Sequence, residues 1–301
     1  MSIINVEMIS ALLPKRGSDA HKGSFGRLVV IAGSRQYTGA AKLTIQAALR
    51  SGVGLVYGAI PEPIYPPLAA SIAEAIWLVL PSSEGAISAN AVRQIPELLD
   101  KKTAILIGPG LSQTEGTRIF LFALLERLRR DHPELPLVLD ADALNLLSAT
   151  ENWPKLLPKN CLLTPHEVEF SRLTGLEPEA IKANRAGMAE KFARAWKQTL
   201  ILKGANTLVA SPDGQLRELP FANSVLAHGG SGDVLAGLAA GLLAQGLTPF
   251  DAATLAVWLH ARAAELALAK LAHPAATLPS DLITQLGFAM AELEQTNQRF
   301  W

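Results

Sequence analysis

The chain has 301 residues, 49% of them hydrophobic, and its 27 basic and 27 acidic side chains leave a formal net charge of zero. The apolar content is enough for a large core and excludes disorder. The charge balance gives no electrostatic reason to expect a nucleic acid or an anionic membrane as partner. A single cysteine, Cys161, excludes an internal disulfide and a paired-cysteine metal site, which suits a reducing cytoplasm.

The opening stretch "MSIINVEMISALLPKRGSDAHKG" is no secretory signal, because Glu7 interrupts its apolar run and no basic segment precedes it. Residues 1–20 are expected to be an N-terminal extension of one domain spanning 1–301. Short β-branched runs then alternate with longer helical patterns. "RLVVIA" at 27–32 predicts a strand, "AAKLTIQAALRSG" a helix, and 53–60, 75–80, 103–108, 135–141, 161–164 and 199–204 further strands. Helical patterns cover 114–130 and 178–197. Continuous apolar strands are covered on both faces, so the repetition predicts a doubly wound α/β fold with a mainly parallel sheet. "NTLVASPDGQLREL" at 206–219 reads as a hairpin turning at Pro212-Asp213-Gly214. From Ser231 the chain is almost all helix, with further helices near 249–271 and 279–295. The apolar run at 234–247 is too short to span a membrane.

Ligands of open α/β sheets sit outside the carboxyl ends of the strands. The residues there are Gly33-Ser34, Gly108-Pro109-Gly110, Asp140-Ala141-Asp142, Thr164-Pro165-His166 and Lys203-Gly204. "GSRQYTGAA" lacks the Lys-Ser/Thr pair of a P-loop, and the glycines of "GVGLVYG" precede their strand instead of following it. "HGGSGDVLAGLAAGLLAQG" at 228–246 is more informative. Its Gly-Gly-Ser-Gly turn can form an anion-binding nest at the positive end of a helix. Asp233, in the first turn, either compensates the helix dipole or takes a proton from a hydroxyl attacking phosphorus. His166 and Glu169 share one helix face; they either hold a hydrated Mg²⁺ or orient phosphate oxygens, or they form a capping box. Asp140 and Asp142 are expected to point to opposite sides if their strand persists. Lys203 is read as a phosphate contact or a surface lysine, and the His21-Lys22 loop as a possible substrate border.

In order along the chain, "HKGSFGRLVVIAGS", "TGAAKLTIQAALRSGVGLV", "IGPGL", "LDADALNLL", "LTPHEVEF", "LKGANTLVASPDG" and "GGSGDVLAGLAAGLLAQG" resemble the ADP/ATP-dependent NAD(P)H-hydrate dehydratase family of the ribokinase-like superfamily, from about residue 21 onward. The resemblance implies a hydro-lyase that uses ADP or ATP, with Mg²⁺, to dehydrate the S form of hydrated NADH or NADPH. It implies that Ala40, Gly110, His166 and Asp233 touch the hydrated cofactor, with Asp233 as the catalytic base. Lys203, Gly204, Ala205, Asn206, Thr207 and Gly232 would line the adenine nucleotide, the turn at Gly230 and Ser231 would hold the transferring phosphoryl group, and Glu169 would serve the metal through water. Relatives form homo-oligomers, so self-association is expected. The family often carries a fused epimerase domain, for which this chain is too short; a stand-alone dehydratase is expected. The chain departs from the family where Val168 replaces a common Gly, Ser231 a common Thr, and Ala222 a common Gly before Asn223. A small-molecule kinase of the same superfamily and a nucleotide-binding scaffold are the competing readings.

Overall fold

Apolar side chains alternate between two cores along the central strands. In "RLVVI", Leu28 and Val30 join one core, while Val29 and Ile31 join the other. That arrangement requires a sheet covered on both faces. The computed structural model describes residues 1–299; Phe300 and Trp301, the end of the span expected as one domain, lie outside the described residues.

Besides a two-residue hairpin pairing Ser82–Ser83 with Ala86–Ile87, the strands are β1 (Ser2–Ile3), β2 (Arg27–Ile31), β3 (Leu55–Pro61), β4 (Ile76–Leu80), β5 (Ala104–Ile107), β6 (Leu137–Leu139), β7 (Cys161–Leu163), β8 (Thr199–Leu202), β9 (Asn206–Ala210) and β10 (Leu216–Pro220). They form one ten-stranded sheet in the order β1-β10-β9-β8-β7-β6-β5-β2-β3-β4. All run in one direction except β9, which pairs antiparallel with β8 and β10. Helices α1 (Thr38–Arg50), α6 (Ser231–Ala244), α7 (Pro249–Leu271) and α8 (Pro279–Arg299) cover one face. Helices α2 (Glu115–Asp131), α3 (Asp142–Ser148), α4 (Glu167–Thr174) and α5 (Arg185–Trp196) cover the other. The doubly wound α/β reading therefore holds. The strand order reverses between β2 and β5, which opens a crevice at their carboxyl ends.

Several expectations change. The helical pattern at 178–197 is two helices, Pro178–Ala183 and Arg185–Trp196. Asn184 leaves helical geometry between them (φ −151°) and its side chain accepts the N–H of Gly187 at 3.0 Å, capping the second helix. The strand expected over 135–141 stops at Leu139, because Ala141 adopts φ 51° and ψ −119°. The alternation argument for Asp140 and Asp142 therefore does not apply. The N-terminal residues join the fold: Ser2 and Ile3 pair with Arg217 and Glu218, and Ile9 is fully buried. The His21-Lys22 loop lies away from the strands' carboxyl ends. It leads into Gly26, which packs on the carbonyl of Ala244, the last residue of α6, at the opposite end of that helix from Ser231.

Helix α6 is buried along nearly its whole length against α1. Gly237 and Gly241 make this approach possible: a Cβ at Gly237 would overlap the carbonyl oxygen of Thr44, and one at Gly241 would overlap the Ser51 hydroxyl. Among the described residues no helix is long and apolar enough to cross a membrane. Replacing a mid-helix glycine by alanine gains about 1 kcal/mol in helix propensity, whereas forced overpacking costs about 1–3 kcal/mol. Here the obstacle is backbone, so overpacking wins. Gly237→Ala is expected to lower the urea midpoint; a raised midpoint would show that the two helices can separate freely.

Candidate active site

The site is built on the carboxyl ends of β2, β5, β6, β7 and β8. Beyond β2, Gly33 (φ 83°) donates its N–H to the carbonyl of Pro109 at 2.8 Å, joining the two loops of the crevice. Gly110 has φ 63°, and a Cβ there would lie 2.7 Å from the Cβ of Tyr37 and 2.8 Å from that of Ala40. Ala40 and Gly110 thus meet at the switch point. One turn further along α1, Leu43 packs against Gly230, which brings the glycine turn beside them.

Gly230 occupies the N-cap of α6 in the left-handed conformation (φ 97°), and no side chain caps the helix. The N–H of Ser231 is taken by the carbonyl of His228 at 3.2 Å. Among the described residues, no protein group takes those of Gly232 and Asp233. Of the amides of the Gly-Gly-Ser-Gly turn only that of Ser231 is taken by protein among the described residues, and the helix dipole reinforces those left free at the start of α6.

Lys203, just beyond β8, is no surface lysine. Its side chain is 17% exposed, and its Nζ lies 2.8 Å from Oδ1 of Asp140 and 3.8 Å from Oε2 of Glu169. The same ammonium lies 3.3 Å from where a Cβ on Gly232 would sit, at the mouth of α6. Asp140 is 1% exposed and also accepts the Thr164 hydroxyl at 2.8 Å. Asp142 turns into the first turn of α3, where it accepts the N–H of Ser112 at 2.9 Å and the Gln113 amide at 3.0 Å.

His166 and Glu169 form the capping box of α4. Nδ1 of His166 accepts the N–H groups of Val168 and Glu169 at 3.2 and 3.3 Å, and Oε2 of Glu169 accepts the N–H of His166 at 2.8 Å. Burial, then the charge of Lys203, lowers the proton affinity of His166. The neutral ring with an occupied Nδ1 carries its proton on Nε2. Val168 sits in the first helical turn and is absent from the residues with positive φ, so a valine is accommodated where the family commonly has glycine.

Electrostatically the carboxylates outnumber the cation. Burial first, then repulsion from Asp140, Asp142 and Glu169, pushes the carboxyl of Asp233 up to about 7, with Lys203 opposing. Burial alone would discharge Lys203, but Asp140 and Glu169 outweigh it and raise its proton affinity.

A cavity of about 650 Å³ opens beside this cluster. Its walls include Lys203, Gly204, Ala205, Thr207, Ser231 and Gly232, together with His166. Asn206, Gly230 and Asp233 flank lining residues in the chain without belonging to the lining, and Ala40 and Gly110 meet outside it.

The sequence profile described as NAD(P)H-hydrate dehydratase matches residues 28–287. The chain belongs to the NAD(P)H-hydrate dehydratase family. It is 36% identical over 253 residues to the ADP-dependent (S)-NAD(P)H-hydrate dehydratase of Neisseria meningitidis, covering 83% of this chain and 80% of that one. It is 39% identical over 284 residues to the bifunctional NAD(P)H-hydrate repair enzyme of Moorella thermoacetica, covering 94% of this chain and 52% of that one. The chain spans about half the length of the bifunctional relatives it matches. The crystal structure of the Bacillus subtilis ADP/ATP-dependent NAD(P)H-hydrate dehydratase, co-crystallised with ATP and Mg²⁺, superposes with a TM-score of 0.84 at 31% identity, covering 97% of this chain and 99% of that one. The fold is ribokinase-like.

Within this family framework, two residues escaped the sequence reading. His260 of α7 lines the cavity and is buried; its only trace in the sequence is a histidine on an otherwise apolar helix stripe. Arg185 donates to the carbonyls of Asn206 at 2.9 Å and Lys203 at 3.0 Å, shaping the 203–206 turn from α5. Nothing local in the sequence marks it.

Two outcomes are expected. Lys203→Met leaves the buried Asp140 without its counter-charge, and such losses cost about 3–5 kcal/mol; urea unfolding at pH 7 measures it, and an unchanged midpoint would show the pair is dispensable. The second concerns pH. The folded carboxyl of Asp233 binds its proton more tightly than the unfolded one, so the folded state holds the extra proton between about 4 and about 7. Stability is greatest below that window and falls as pH rises through it. Asp233→Asn should flatten this fall in thermal unfolding across the window; an unaltered slope would place the perturbed carboxyl elsewhere.

Proposed function

We propose that this protein restores NADH and NADPH from their S-configured hydrates at the expense of ADP or ATP, acting as a hydro-lyase. The observation that carries the reading is the carboxyl of Asp233, held near neutral proton affinity in the first turn of an uncapped helix, beside the buried Lys203. A general base works best when its proton affinity lies close to the working pH.

In this scheme Asp233 accepts the proton of the ring hydroxyl as that oxygen attacks the terminal phosphorus of the nucleotide. The bond from phosphorus to the bridging oxygen breaks, giving AMP from ADP. The N–H groups of Gly232 and Asp233 and the ammonium of Lys203 receive the charge that develops on the phosphoryl oxygens. The ring nitrogen then pushes its electron pair toward the carbon bearing the phosphate, phosphate leaves, and the adjacent carbon gives up a proton to restore the ring double bond. Ala40 and Gly110 form the wall for the hydrated ring, with His166 Nε2–H as a donor at its edge. Residues 203–207 form the nucleotide wall, with Gly230 and Ser231 at the phosphoryl end.

Among the described residues no three His, Cys, Asp or Glu side chains gather into a metal cage. Mg²⁺ needs few protein ligands when phosphates and water complete its shell, and the surplus of carboxylate over ammonium around Asp233 fits a cation that arrives with the nucleotide. Glu169 would act through water, since its carboxylate already holds the His166 N–H. Such an ion would neutralise phosphate charge.

The reading includes residues 1–301 working as one domain, in the cytoplasm, as a homo-oligomer. Exposed apolar side chains such as Phe288 on α8 supply surface for self-association.

Purified protein incubated with hydrated NADH, Mg²⁺ and ADP or ATP should regain NADH absorbance with stoichiometric release of phosphate. Accumulation of a phosphorylated substrate would instead identify a kinase. Asp233→Asn should reduce turnover by at least about a hundredfold while retaining nucleotide binding. The wild-type kcat/KM should rise with pH through an apparent value near 7 that the variant lacks. Survival of turnover in Asp233→Asn would remove this residue as the base.

A further inference from the structure

His260 is a buried polar side chain with no part in the scheme above. It lies on α7 among apolar neighbours, is 5% exposed, and places Nε2 3.4 Å from Oγ of Ser231. Both residues line the cavity that also contains Lys203 and Gly232. Burial, with Lys203 nearby, lowers the proton affinity of the ring to about 4, so it is neutral near pH 7. A neutral imidazole carries one N–H and one bare nitrogen, and its neighbours choose between them.

A serine hydroxyl has one hydrogen that rotates to suit its surroundings. Facing a phosphate, it helps only if that hydrogen points at the anion; lone pairs turned the same way repel it. We propose that His260 is a positioning residue whose Nε2–H donates to Oγ of Ser231 and thereby turns the serine hydroxyl hydrogen toward the phosphate of a nucleotide bound at the glycine turn. A ring presenting its bare nitrogen would take the serine hydrogen and leave lone pairs facing the phosphate. The two arrangements predict opposite effects of removing the ring. This inference rests on the proposed nucleotide-dependent reaction.

The test is calorimetric titration with ADP, alongside NADH recovery, on wild type, His260→Leu, His260→Gln, His260→Asn, Ser231→Ala and the Ser231→Ala/His260→Leu double variant. Loss of one oriented hydrogen bond to a charged group corresponds to about tenfold in affinity. His260→Leu and Ser231→Ala are each expected to weaken ADP binding by about that factor, raising KM for ADP more than they lower kcat. The double variant should bind within about twofold of Ser231→Ala, because the histidine acts through the serine. Glutamine, whose amide N–H₂ reaches the place of Nε2, should recover affinity to within about threefold, and asparagine, one bond shorter, should not. Additive losses, a glutamine variant as weak as leucine, or tighter ADP binding after His260→Leu each overturn the proposal. Should the leucine variant fail to fold, the glutamine-asparagine contrast with and without Ser231→Ala makes the same decision. A wild type that shows this ADP pattern but restores no NADH sinks the reaction and leaves the histidine role intact. An active wild type with additive losses sinks the histidine role alone. A wild type that binds neither ADP nor ATP ends both.

Discussion

The start of α6 can serve as a binding end only because the rest of that helix is clamped so closely to α1. Gly237 and Gly241 let the two helices approach until a Cβ at either position would overlap the Thr44 carbonyl or the Ser51 hydroxyl. The consequence runs lengthwise. With its body fixed, α6 presents Gly230, Ser231, Gly232 and Asp233 at a set position relative to the strand ends, and leaves its first free N–H groups unsatisfied by protein. Ala40 and Leu43, on the same helix α1, place the crevice wall and the glycine turn side by side. One helix contact therefore registers both halves of the site.

Around that helix end the charges are deliberately unequal. Asp140, Asp142 and Glu169 all press on Asp233, and Lys203 opposes them. Asp140 holds the lysine at 2.8 Å and Glu169 is committed to the α4 cap. Among the described residues Asp233 has no close ion pair, and burial first, then repulsion from the other carboxylates, raises its proton affinity. Separated environments of this kind are how one fold assigns different duties to residues of the same type.

Much of the architecture was legible in the sequence because its signals are local. Apolar runs of four to six residues have no alternative to two-sided burial, and helices such as 249–271 follow from periodicity and a Thr-Pro start. The errors arose where one residue's geometry overrode its neighbours: Asn184 splits a continuous helical pattern, and Ala141 ends a strand two residues early. At the site, the glycine turn and Asp233 announced themselves through small residues abutting an apolar helix. Lys203 gave no local sign that it would be buried, because its partner Asp140 lies 63 positions away. His260 reaches the cavity from α7 and Arg185 holds the 203–206 turn from α5, and the packing of both helices depends on the whole chain. Residue type could not distinguish a ligand-holding His166–Glu169 pair from a capping one, and the structure shows Nδ1 of His166 capping α4 while Nε2 faces Oε1 of Glu169 at 3.4 Å.

The short parallel pairing of Ser2 and Ile3 with β10 has a reach beyond its size. Phe221 follows β10 directly and stands in the cavity wall. The amide of Ile4 reaches the carbonyl of Glu218 at 2.8 Å, so the outermost rung of the sheet is stitched by the first few residues of the chain. Rigidity of the pocket's far side is thus borrowed from the amino terminus, a segment that touches none of the reacting groups.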